Sequence, residues 1–497
     1  MGDFFMKTIN KIFRKIFIKF VPLNTYNYDN VEDFLFLHKS NSVKSLIHQQ
    51  TIILLILSGV FLFTSIWLVQ KILNVSPLLI FSAIVSFLYL FVSLFKLFIT
   101  FVSLKEKFIT VAKEDLELIN ESDLPLITVL IPLYNEYLVV PQIFNSMTKI
   151  DYPVEKLEFI ITLEEYDQKT IEAIKYANFP NHFKTLILPN VKPKTKPKAL
   201  NVAFRHVRGE YLVVYDAEVI PEPSQLKKAY VAFKNNPHIG SLQTRLDHYN
   251  SQQNLITKLF SSEFSYYYDL FLPGLQKLNI PIPLSGHSVF FRTSAIKIVG
   301  AWDPYNVAED CDIGIRLQRV GLKIGILDSI SCEEATSTIP AWIRQRTRWM
   351  KGFIQTSVVH LRHPLAFKRE LGGGMRFLGF ILIVPGTVVI NLFNFFYWVM
   401  LIAWFIFQPN TIQKFFPGFI LYLSFFAFLI GNFIFTYLSL LGAHKRHRYG
   451  IVKYTLLTPI YWLFLSIATI RALIQIIFKP HHWEKTNHGS HLRKAVI

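Results

Sequence analysis

Asp216-Ala217-Glu218 follows the apolar run Tyr211–Tyr215, so two carboxylates leave a strand-like segment two residues apart. Carboxylates at that spacing can converge on one hard divalent cation, Mg²⁺ or Mn²⁺, which in turn bridges diphosphate oxygens. A plain β-turn would carry the same acids. Lys196-Pro197-Lys198-Ala199-Leu200-Asn201 opens a helix-like segment just before that run. A helix N-terminus bearing lysines can hold phosphate. Ala308-Glu309-Asp310 opens another helical segment, Cys311–Val320, with Ile313, Leu317 and Val320 on its apolar face and Gly321 at its end. A carboxylate at that position is stabilised as the anion. It would suit a base that takes a proton from a hydroxyl at neutral pH, although capping alone would account for it. Gln345-Arg346-Thr347-Arg348-Trp349 lies in a third helical segment. There Gln345, Arg348 and Trp349 share a face at i, i+3 and i+4. A guanidinium pairs with a departing diphosphate, and an indole offers a flat face to a sugar ring. Beside a bilayer the same pair would serve as an interfacial anchor.

These residues need a scaffold. Four apolar runs have strand length: Ile127–Leu133, Leu157–Leu163, Thr185–Leu188 and Tyr211–Tyr215. Helical patterns separate them at Val139–Met147, Lys169–Ala177 and Lys196–Val207. The alternation predicts an α/β domain over about 120–365, with a parallel sheet covered by helices. Ligands of such sheets bind beyond the carboxyl ends of the strands. The first run leads into Tyr134-Asn135-Glu136, the second into Glu164-Glu165 and Asp167, and the fourth into Asp216-Ala217-Glu218. In a chain of net charge +18, that acidic rim fits a cation or a sugar better than chance.

Around this domain the composition changes. Apolar residues make up 52% of the 497 and gather at the two ends. Thr51–Leu73 and Pro77–Leu104 are each long enough to cross a bilayer, and with only Asn74–Ser76 between them they form a hairpin. Lysines and arginines precede the hairpin and are missing from its tip, so the N-terminus and the central domain are expected on the cytoplasmic side. Residues 1–50 open with Lys7, Lys11, Arg14, Lys15 and Lys19 interleaved with Phe and Ile, the pattern of a basic amphipathic helix on an anionic leaflet. A signal peptide would need an uninterrupted apolar core and a small-residue cleavage site. Within 376–478, Phe377–Phe407 contains Pro385 and Gly386 and is expected to split into an interfacial piece and a span. Phe416–Leu441 reads as a span. Tyr454–Phe478 carries Pro459 and Arg471, which is costly at bilayer depth, so it is expected to be interfacial or re-entrant. The basic loop His444–Lys453 and the tail 479–497 are expected in the cytoplasm, with no further domain after them. The basic residues flank apolar runs, which favours lipid over nucleic acid as the partner. Cys311 and Cys332 have no metal-ligand spacing and read as reduced thiols.

Taken in order, these motifs resemble the processive members of glycosyltransferase family 2, the cellulose synthase-like enzymes. The QxxRW-type stretch Gln345–Trp349 is the most specific element. The stretches DYPVEKLEFIITLEE, TKPKALN, YDAEVIPEP, WDPYNVAED and WEKTNHG resemble a bacterial exopolysaccharide branch. The resemblance implies a GT-A (Rossmann-like) glycosyltransferase domain between transmembrane helices, multi-pass in the inner membrane. It also implies roles by position. Glu164 and Glu165 stand where an Asp pair meets the nucleotide base, and Lys198 near the nucleotide and diphosphate. Asp216, with Glu218, would hold Mg²⁺ or Mn²⁺. Asp310 is the general base, with Glu309 beside it, and Gln345, Arg348 and Trp349 line the acceptor end and the diphosphate. Glu136 joins the substrate-binding rim. Two departures matter: Glu replaces the second Asp at 218, and Glu164-Glu165 replaces the Asp pair.

The expected reaction is a one-step inverting transfer from a nucleotide-sugar donor, by default UDP-glucose or UDP-N-acetylglucosamine. The acceptor would be a growing polysaccharide or a lipid. Phe260, Phe264, Tyr266, Tyr267 and Tyr268 would extend the acceptor path or simply fill the core. The product would pass between the spans, with export or accessory subunits as further partners. A non-catalytic membrane sugar-binding scaffold is the non-enzymatic alternative.

Overall fold

The computed structural model describes residues 42–45, 64, 71, 77–106, 108–407 and 418–485. The basic amphipathic segment, nearly all of the first expected span and the end of the tail lie outside the described residues. Helices of eight residues or more are labelled in chain order. The first, α1 (Pro77–Ser103), is apolar and leads to the sheet.

β1 (Ile127–Leu133), β2 (Leu157–Glu164), β3 (Phe183–Leu188) and β4 (Tyr211–Val214) form at the four apolar runs. They pair in parallel in the order β3-β2-β1-β4. Between them lie α2 (Val140–Met147), α3 (Gln168–Ala177) and α4 (Lys196–Phe204). β2 is buried along its whole length, and β1 everywhere except Pro132. Their side chains alternate between two covered faces. Leu130, Ile160 and Leu212 pack with Leu200 and Phe204 of α4. Val129, Phe159 and Val213 pack with Ile143 of α2 and Ile171 of α3.

Four more strands extend the sheet in the order β7-β6-β8-β5: β5 (Ile220–Pro221), β6 (Ile239–His248), β7 (Val289–Arg292) and β8 (Lys323–Glu333). β7 runs antiparallel to both β4 and β6, so the sheet is mixed where a parallel one was expected. Helices α5 (Gln225–Asn235), α6 (Leu255–Tyr266) and α7 (Glu309–Arg319) cover this half, and α8 (Ile339–His360) packs against α7. α7 starts two residues earlier than the sequence pattern predicts, so Glu309 and Asp310 form its first turn.

Among the described residues, four helical stretches are long and apolar enough to cross a membrane: Leu79–Ser103, Gly374–Phe407, Phe419–Lys445 and Tyr449–Phe478. We label α9 (Gly374–Phe407), α10 (Phe419–Lys445) and α11 (Thr458–Phe478). The break expected near Pro385 is not there, and α9 runs unbroken for 34 residues. Pro385 leaves the Ile381 carbonyl without its helical donor. A Cβ at Gly386 would sit 2.9 Å from that oxygen, so glycine makes room for the distorted turn. Tyr454–Phe478, expected to be interfacial or re-entrant, lies within the fourth of these stretches. Arg471 in α11 forms an ion pair with Glu484 as the chain turns back, at 2.6 Å from Nη1 to Oε2, which offsets the cost of its charge.

The long apolar helices and the sheet domain share contacts. Trp342 Nε1 of α8 donates to Tyr461 OH of α11 at 3.1 Å. Asp269, just after α6, accepts from Arg446 at the end of α10 and from Arg245 of β6, at 2.7 to 2.9 Å.

Candidate active site

A deep cavity opens at the carboxyl ends of β1, β2 and β4 and continues between α1, α9, α10 and α11, where Lys96, Thr387, Phe435 and Trp462 line it. Its sheet-side wall begins at the end of β1. Asn135 takes a left-handed φ of 54° and its N–H donates to Asp167, which turns the chain toward Glu136. The Glu136 carboxylate meets Lys485 at 2.9 Å. At the end of β2, Glu164 is buried against the Lys198 ammonium at 3.0 Å. Burial raises the Glu164 pKa, and Lys198 only partly counters it.

At the end of β4, Asp216 is held from two sides. Lys196 pairs with Oδ1, and His287 Nδ1 lies 2.9 Å from Oδ2. Burial alone would raise the Asp216 pKa, but those two cations hold it far below the usual carboxylate range. Burial also lowers the basicity of His287, yet Glu333 and Asp216 overcome this and raise its pKa to about 9. Lys196 Nζ also donates to Gly286 O at 2.9 Å and lies 4.0 Å from Glu309 Oε1.

Across from Asp216 stands the first turn of α7. The Cys311 N–H donates to Asp310 Oδ1 at 2.8 Å. Burial raises the Asp310 pKa, and the Cys311 N–H, Lys196, His287 and Arg348 reduce the rise without reversing it. Glu309 is raised as well, first by burial and then by the charge of Asp310. Such a turn can hold a carboxylate that accepts a proton near neutral pH. Its position depends on a close helix contact. A Cβ at Gly352 of α8 would fall 2.1 Å from Ala308 Cβ and 2.7 Å from Ala308 N.

Eight of the expected residues line the cavity together: Glu136, Glu164, Asp216, Glu218, Glu309, Asp310, Arg348 and Trp349. Three do not. Glu165 points outward and accepts from the Asn190 N–H at 3.3 Å. Lys198 is 1% exposed and lies behind Glu164, to which its ammonium donates at 3.1 Å. Gln345 turns from the cavity, and its Oε1 accepts from Thr336 Oγ1 at 3.2 Å. Phe260 packs in the core, while Phe264 and Tyr266 to Tyr268 reach the cavity wall.

Other cavity residues went unnoticed in the sequence. Lys196 is the lysine that meets Asp216, although the same motif contains it. Arg346, inside the QxxRW-type stretch, pairs with both oxygens of Glu263, at 2.9 Å and 2.5 Å. Trp483 lies under the Arg348 guanidinium at 4.7 Å, and with Lys485 it comes from the stretch after α11. That stretch is fixed by Lys351 Nζ, which donates to His482 O at 2.6 Å, and by Gln355 Nε2, which donates to Pro480 O at 2.9 Å.

Asp216, Glu218 and His287 each offer one ligand atom, all within 4.8 Å of one another. Two carboxylates and an imidazole fit a divalent cation.

The family profile described as Glycosyl transferase family group 2 matches residues 211–479, more than half of the chain. Probable glycosyltransferase YdaM of Bacillus subtilis (strain 168) is 26% identical over 296 residues, 59% of this chain and 67% of that protein. Cellulose synthase 2 of Novacetimonas hansenii is 28% identical over 261 residues, 51% of this chain and 16% of that protein. A mannosyltransferase from Pyrobaculum calidifontis, solved with GDP-Man and Mn²⁺, superposes with a TM-score of 0.53 at 15% identity, over 81% of this chain and 99% of that one. At that identity the likeness is one of fold.

Proposed function

Because the chain belongs to Glycosyl transferase family group 2, we propose that it transfers sugar from a nucleotide-activated donor to a growing β-linked glycan at the cytoplasmic face of a membrane. Asp310 takes the proton of the acceptor hydroxyl. That oxygen attacks the anomeric carbon from the side opposite the leaving group, the bond to the diphosphate breaks, and the anomeric configuration inverts. Lys196 and Arg348 offset the charge gathering on the departing nucleoside diphosphate. Lys196 takes the part first expected of Lys198, since its ammonium lies on Asp216. A divalent cation held by Asp216 and Glu218 would add Lewis-acid stabilisation of the same diphosphate. Glu164, ordered by Lys198, borders the nucleotide end. Trp349 positions the acceptor sugar, a matter of orientation rather than charge.

The observation that carries this reading is that Asp216, Asp310, Arg348 and Trp349 line one cavity, which then continues between apolar helices. The likeness to Cellulose synthase 2 supports a β-linked polymer, and the continuing cavity supports its passage toward the membrane. UDP-glucose and UDP-N-acetylglucosamine are the first donors to test, followed by GDP-mannose. Purified protein with donor and cation should release nucleoside diphosphate and build a product ladder. Absence of any release across the donor panel would refute the catalytic reading. The membrane-helix wall also favours a second reading, transfer of one sugar to a lipid carrier, which would give a single lipid-linked product instead of a ladder.

A further inference from the structure

His287 belongs to none of the motifs that the sequence singles out. It sits in the loop before β7, and β7 runs antiparallel beside β4, with Val289 opposite Val214. This pairing brings the ring to the Asp216 turn. The buried Nδ1 lies 2.9 Å from Asp216 Oδ2 and 3.3 Å from Glu333 Oε2, and neither contact has hydrogen-bond alignment. One ring nitrogen therefore faces two carboxylates at once. Glu333, at the end of β8, has a side chain only 5% exposed. Its other oxygen lies 3.4 Å from His248 Nε2. Lys196 occupies Oδ1 of Asp216, which leaves Oδ2 on the His287 side.

We propose that His287 Nδ1 is a ligand of the divalent cation, backed by the charge of Glu333, and that it makes the site select Mn²⁺ over Mg²⁺. The inference rests on the metal-assisted reading above. The ligand atoms of Asp216, Glu218 and His287 lie within 4.8 Å of one another. Ligands on opposite sides of a small divalent ion stand about 4.2 Å apart, twice a bond of about 2.1 Å, so a small contraction closes the site. Mg²⁺ prefers an all-oxygen octahedron and gives up its waters reluctantly. Transition ions accept imidazole alongside carboxylates. Glu333 adds negative charge at the point where the ring nitrogen would meet the ion, which strengthens the pull on a doubly charged cation without choosing between the two metals. Selection then falls to the nitrogen.

Full-length protein in nanodiscs is titrated with Mn²⁺ and Mg²⁺ in the presence of inorganic pyrophosphate, and bound Mn²⁺ is examined by electron spin echo envelope modulation. The expected result is nitrogen coupling from one imidazole and Mn²⁺ binding about tenfold or more tighter than Mg²⁺. His287→Gln should abolish the coupling and weaken Mn²⁺ binding by about tenfold or more, the size that loss of a metal-orienting group typically has, with Mg²⁺ binding changed much less. Glu333→Gln should weaken the binding of both ions and keep the coupling. Bound Mn²⁺ without nitrogen coupling would overturn the inference and leave the metal-assisted reading standing. No Mn²⁺ binding at all would overturn both. The wild-type spectrum decides the ligation even where His287→Gln does not fold.

Discussion

Asp310 and Asp216 are both acids in one cavity, yet their surroundings push them in opposite directions. Asp216 is pinned as an anion by Lys196 and His287, whereas burial raises Asp310. A base must be deprotonated to act, so a raised pKa moves the loss of activity to higher pH. The acid limb of kcat/KM should therefore lie above the ordinary Asp value of about 3.9, with activity rising as pH rises through it. A pH profile in nanodiscs checks this. Asp310→Asn keeps the shape of the side chain and removes the base. It should lower nucleoside diphosphate release by about 10²–10⁴-fold, the usual contribution of a general base, with donor affinity little changed by calorimetry. Wild-type turnover in that variant would remove Asp310 from the mechanism. Lys196→Met should cost more than Lys198→Met in turnover. Lys198→Met should instead act through Glu164 and raise the donor KM.

Elements decide which of these residues meet. Helices α7 and α8 touch where Gly352 has no side chain, against Ala308. Gly352→Ala should force the helices apart and destabilise by about 1–3 kcal/mol, as overpacking does. Because Ala308 precedes Glu309 and Asp310, turnover should fall more than donor binding, which single-turnover kinetics alongside binding assays would reveal. β1, β2 and β4 were legible because central parallel strands are apolar on both faces, and β3, the edge strand, was legible as a short apolar run. β6 was not, since Ser241, Gln243 and Thr244 are buried among its apolar residues, and β5 and β7 are only two and four residues long. Missing β7 meant missing His287, in the loop that leads into it. The choice between Lys196 and Lys198 was closed to sequence reasoning for a related reason. Two residues along a helix differ by about 200° in direction, and only the placement of α4 against β2 and β4 says which lysine meets which acid. Trp483 and Lys485 had one signal, the family-like stretch WEKTNHG, but its distance in sequence concealed that it returns to the rim.

On the scale of the whole molecule, Asp269 ties the sheet domain to α10. Burial would raise its pKa, but Arg446 and Arg245 lower it to about 2. A carboxyl with a depressed folded pKa contributes stability above its unfolded value of about 3.9, and that contribution is lost as pH falls toward about 2. Wild type should lose thermal stability across that window. Asp269→Asn, which takes from the buried Arg446 one of its two carboxylates and leaves it Asp247 at 3.2 Å, should destabilise at neutral pH by at most about 3–5 kcal/mol and flatten the acid dependence, as read by unfolding in detergent.

The bond from Trp342 to Tyr461 also bears on any attempt to make this enzyme water-soluble. Arg346 Nη2 donates to the same hydroxyl at 3.1 Å, and Trp462 beside it lines the cavity. Excising 120–365 as a free-standing catalyst would remove part of the floor of its own cavity and the strap that carries Trp483 and Lys485. Such a fragment should keep its sheet but expose a greasy, half-walled cleft, and crystallisation or inhibitor screening on it would sample a different receptor from the one the full chain forms.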